Sequence, residues 1–136
     1  MKRITLFALV LLILVLPLCG CMNHGNVNHV HKTLGNSQIY TKSDIEAAMD
    51  TVIRHFRREF EGCTLLHLYY EEDPADNQAR AAQYGADQGI VLLSSFEVGP
   101  EGSDGSLNPK STYNRWSWIL TRDHGGNWVL QSWGYG

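Results

Sequence analysis

Residues 43–61 read SDIEAAMDTVIRHFRREFE, and this stretch decides the fold. Ile45, Ala48, Met49, Val52, Ile53, Phe56 and Phe60 recur at steps of three and four. That spacing lays one apolar stripe along a helix. Lys42, Asp50, Arg54, Arg57, Arg58 and Glu61 occupy the rest of the surface. Ser43 with Glu46 has the pattern of a capping box, and Thr41 with Asp44 has it in an earlier register. Gly62 supplies a C-terminal stop, and Arg57 and Arg58 suit the helix dipole near that end. A helix with one apolar stripe has to bury it against something else.

The chain beyond Gly62 supplies the partner. Residues 63–71, CTLLHLYYE, read as a strand. Asp73-Pro74 opens a short helix that runs to Tyr84 and stops at Gly85. Residues 89–98, GIVLLSSFEV, form a nearly continuous apolar strand between flanking glycines. After a polar loop over 99–111, residues 112–122 and 127–135 alternate as strands around the turn Asp123-His124-Gly125-Gly126. The expected class is α+β: a long N-terminal helix on a curved antiparallel sheet of about four strands, with one short extra helix. By element order alone, residues 41–136 resemble the cystatin-like and nuclear-transport-factor-2-like superfold. That superfold hosts enzymes, inhibitors and adaptors alike, so the resemblance implies a fold and no particular activity.

The N-terminus carries an address. Lys2-Arg3 is a positive n-region, and Ile4–Leu18 is an apolar h-region shorter than the ~20 residues of a stable span. Leu18-Cys19-Gly20-Cys21 comes next and resembles the bacterial lipobox. The resemblance implies cleavage after Gly20 and a diacylglyceryl thioether on Cys21. The expected organisation is a signal peptide over 1–20, a lipidated cysteine and flexible tether over 21–40, and one domain over 41–136. The expected location is the extracytoplasmic side of a membrane, held by lipid. Residues 22–40 carry His24, His29 and His31 among Asn and Gly without period, which reads as a polar linker. No carboxylate or cysteine completes a metal site there.

Composition excludes several classes. The chain has 11 basic and 14 acidic residues, a net charge of −3. Loss of Lys2 and Arg3 with the signal leaves nine basic residues. No basic stripe remains for nucleic acid. With Cys19 removed and Cys21 acylated, only Cys63 is left, so the domain has no internal disulfide. Glu71-Glu72-Asp73 and the 101–108 loop lack the ligand periodicity of a calcium site. No cofactor is expected.

Two functional readings stand side by side. Trp116 and Trp118 share a strand face with Leu120, while Trp128 and Trp133 lie on the partner strand. Four indoles in one sheet either pack it or present a surface for a sugar, peptide, aromatic ligand or partner protein. Together with His67 they form the candidate binding set of a non-catalytic accessory module. Alternatively, His67 or Glu97, from a candidate acid–base set that also holds Asp87 and Tyr69 and that no spacing rule links, performs proton transfer in a pocketed enzyme. A cavity opening onto His67 or Glu97 favours the enzyme, whereas a concave face plugged by Phe56, Phe60 and the tryptophans leaves catalysis no room.

Overall fold

The computed structural model describes residues 24–135. The first helix, α1 (Lys42–Glu59), starts on the earlier of the two capping registers. Asp44 N donates to Thr41 Oγ1 (3.1 Å), and Thr41 N donates back to Asp44 Oδ2 (3.0 Å). Ile45, Ala48, Met49, Val52 and Phe56 bury the stripe, and Phe60 closes the helix as its C-cap.

The sheet differs from the expected one. It has five strands in the order β1 (His31–Thr33), β2 (Cys63–Tyr69), β3 (Gln88–Val98), β4 (Thr112–Arg122) and β5 (Val129–Gly134). β1 pairs with β2 in parallel and the other three pairings are antiparallel, so the sheet is mixed. A long N-terminal helix on a four-stranded antiparallel sheet, and with it the cystatin-like arrangement, is therefore corrected. Two short helices accompany the sheet, α1 of 18 residues and α2 (Pro74–Gln83) of 10. The fifth strand comes from the stretch read as a tether. Asn26 N donates to Cys63 O (2.8 Å), Leu65 N donates to Asn26 O (3.0 Å), and β1 lies alongside His67–Tyr69. Edge pairing of this kind uses backbone groups, and β1 is exposed throughout. No alternation of apolar residues marks such a strand in the sequence.

One face of the sheet packs on α1. Trp118, Phe56, Phe96, Ile45, Met49, Leu65 and Leu68 are fully buried between them. Trp118 Nε1 donates to Ser94 Oγ (2.8 Å), which meets the one polar demand of the largest core side chain. The α1 N-terminus is fastened to the far end of the sheet. Arg122 ion-pairs with Asp44 (3.0 Å), donates from Nε to Gln88 Oε1 (2.7 Å) and lies 4.3 Å above the Trp128 ring. Burial works to raise the Asp44 pKa, but the Thr41 amide and hydroxyl and the Arg122 guanidinium outweigh it and hold the carboxyl below its usual range.

α2 occupies the flank of β3 that β2 leaves free. Buried Asn77 accepts from Val91 N through Oδ1 (3.2 Å) and donates from Nδ2 to Tyr70 Oη (2.9 Å). Gly89 permits this approach, because a Cβ there would stand 2.5 Å from Asn77 O and 2.9 Å from Ala81 N.

Candidate functional site

The structure separates the four tryptophans. In register, Trp116, Trp118 and Leu120 stand opposite Ser94, Leu92 and Ile90, all toward α1. Trp118 is wholly inside. Trp128 precedes β5, is buried, and donates from Nε1 to Asp44 O (2.9 Å), so its indole is committed to the fold. Trp116 is half-buried, and Trp133 is 43% exposed.

Those last two line a cleft of about 450 Å³. Its walls are His55 and Glu59 of α1, Phe60, Trp116, Trp133 and the loop from Ser103 to Leu107. The Trp133 ring lies over His55 with centroids 4.3 Å apart. Tyr135, 63% exposed, stands edge-on to Trp116 at 5.3 Å and extends the aromatic rim. His55 Nε2 and Trp116 Nε1 are buried in this wall and have no hydrogen-bond partner among the described residues. Burial holds the His55 pKa below the ordinary histidine value; Glu59 opposes this and Arg58 adds to it. His55 is therefore a neutral imidazole at neutral pH, able to donate or accept a hydrogen bond.

His67 and Glu97 lie elsewhere. His67 Nε2 is 2.9 Å from Thr33 Oγ1, and its ring lies tilted against His31 (4.9 Å) and Tyr69 (4.6 Å). Burial, then the neighbouring His31, lowers its pKa. Glu97 is exposed opposite Thr64 and Thr112. Neither lines the indole cleft. Asp87 accepts from His124 N (3.0 Å) in the hairpin turn. Cys63 is a free, buried thiol whose pKa burial raises, with Ser103 opposing. A buried, protonated thiol is a poor nucleophile. Among the described residues, no three His, Cys, Asp or Glu side chains converge as a metal site, and no helix is long and apolar enough to cross a membrane. Cys21 lies outside the described residues.

His55 and Glu59 are the wall residues the sequence pattern does not announce. His55 falls between Val52 and Phe56 at the margin of the apolar stripe, where the period does not distinguish a polar face from a shared wall. The only signal is the position itself, one residue before a stripe member.

The lowered His55 and His67 values make stability depend on pH. Both groups bind protons more readily in the unfolded chain, near pH 6.5, than in the folded one. Folding is thus fully favoured above about pH 6.5 and loses ground as pH falls through the lower folded values. The urea midpoint should fall between pH 7.5 and 5.5, and His55→Gln should flatten that fall. A midpoint that stays level over this range would contradict the assignment.

No protein-family model, curated protein or solved structure matches this chain. The site is therefore defined by its own geometry.

Proposed function

We propose that this chain is a lipid-anchored, extracytoplasmic binding module without catalytic activity, and that its ligand or partner docks in the cleft lined by Trp133. One observation carries the site: an exposed indole lines a cleft whose wall also holds two buried, unpaired nitrogens, His55 Nε2 and Trp116 Nε1. Buried polar groups are nearly always hydrogen-bonded, so an occupant that displaces the Trp133 ring from His55 and pairs these nitrogens meets a demand the free protein leaves open. The cleft falls in the size range of small-molecule sites. The anchor is supported by the order Lys2-Arg3, the apolar run and Cys21. Acyl chains on that cysteine hold a protein at a bilayer through about 0.8 kcal/mol per buried methylene.

Two experiments test the two halves. A fragment library screened by NMR, read at the indole N–H signals, should move Trp116 and Trp133 together, and the Trp116 response should vanish in Trp133→Ala. Hits that leave both signals still, or that survive Trp133→Ala, would remove the cleft from consideration. Separately, Cys21→Ala should shift the protein from the membrane pellet to the soluble fraction when the processed form is followed. Pellet retention of processed Cys21→Ala would refute lipid anchoring.

A further inference from the structure

Anchoring at Cys21 constrains the N-terminal end of the domain. A flexible tether over 21–40 would let the domain range about 25 Å from its lipid. The structure uses most of that stretch. Gly25 N donates to Arg57 O (3.0 Å) at the end of α1, and Asn26 is bridged to Cys63 and Leu65. A Cβ on Gly25 would fall 2.3 Å from Phe56 O, so the backbone is pressed against the helix. Four residue steps separate Cys21 from this fixed point. They reach no more than about 14 Å even when fully extended.

We infer that the domain is held flush on the bilayer, with one end as its membrane-contacting surface: the end of α1, Gly62 and the Gly99–Ser103 loop. This inference rests on lipidation of Cys21. The same residues surround a cleft of about 870 Å³ beside Gly25, lined by Arg57, Glu61 and Glu101 among others. Both charge signs are present there, so the bilayer is held against this surface by the covalent anchor and not by attraction to headgroups of one charge. The sheet runs away from this end. β2 begins here at Cys63, β3 finishes here at Val98, and the Asp123–Gly126 turn lies at the opposite end, between β4 and β5. Ser103 lines both this cleft and the indole cleft. The proposed binding site therefore lies beside the bilayer, and its occupant is met at the membrane surface.

The test uses the full chain, expressed with its own N-terminus and placed in vesicles of phosphatidylethanolamine and phosphatidylglycerol. Glu101→Cys reports the proposed membrane end, and His124→Cys reports the far turn. Both positions are exposed. Labelling by a bulky polyethylene-glycol maleimide is compared in vesicles and in detergent. Glu101→Cys should label several-fold more slowly in vesicles, while His124→Cys labels equally in both. Inserting about 20 Gly/Ser residues between Asn23 and His24 should restore Glu101→Cys to its detergent rate. Equal labelling of the two positions in vesicles would overturn flush mounting while leaving the anchor intact. Soluble Cys21→Ala is the control that the anchor exists, and failure of that control alone would trace the fault to the lipid reading.

Discussion

Replacing Trp118 with alanine should lower the unfolding free energy by about 3–5 kcal/mol, the range for deleting a buried large aromatic side chain. Its surroundings explain why the cost should be high. The ring is fully buried and packs against Phe60 at 5.2 Å, Phe56 at 6.3 Å and His55 at 6.2 Å. These neighbours come from α1 and its cap, so the cavity would open along the helix–sheet seam and could not collapse without shifting the helix. The indole also donates to Ser94 Oγ, which is itself buried. Small domains hold only about 5–15 kcal/mol in total, so the variant would sit near the edge of folding. Urea unfolding followed by far-ultraviolet circular dichroism measures the loss. Trp118→Phe separates the contributions, since it keeps an aromatic ring and removes the N–H. It should cost about 1–3 kcal/mol. A Trp118→Ala variant nearly as stable as the parent would show that the seam is not packed around this ring.

Gly89→Val should be the second severe change, costing about 2–3 kcal/mol or more, in the upper range of overpacking. Valine suits a strand by propensity, and position 89 has an ordinary backbone, so no local rule forbids it. The obstacle is α2. Asn77 O and Ala81 N would stand 2.5 and 2.9 Å from the first added carbon, and both are backbone atoms that move only with the helix. Pushing α2 outward would withdraw Asn77 from Val91 N and Tyr70 Oη, leaving buried polar groups unpaired. Amide hydrogen exchange gives a specific readout. Val91 should lose protection together with α2, while α1 keeps its own. Unchanged protection at Val91 would mean that α2 tolerates the displacement.

The two sites differ in how far they could be foreseen. Trp118 announces itself as a large apolar residue alternating within a strand, on the face shared with Leu120. Gly89 reads only as a strand boundary, because the atoms that require it belong to a helix formed by other residues. The indole cleft divides in the same way. Trp116 and Trp133 stand out by residue type, but Trp118 and Trp128 look equally suitable until their N–H groups are seen bonded to Ser94 and Asp44. His55 had no such mark.

The sequence by itself determined the elements whose side chains alternate or recur. These are the α1 stripe, the short capped helix after Asp73, the apolar strands and the 123–126 turn. Burial of apolar area is encoded residue by residue, and its period is local. Only the tertiary structure decided the fifth strand, the mixed sheet and the cleft. β1 joins through backbone hydrogen bonds, to which side-chain identity contributes little. The cleft exists because the end of α1, the β4–β5 face and the 103–107 loop meet at one place. Segments far apart in the chain converge there, and no local pattern records their meeting.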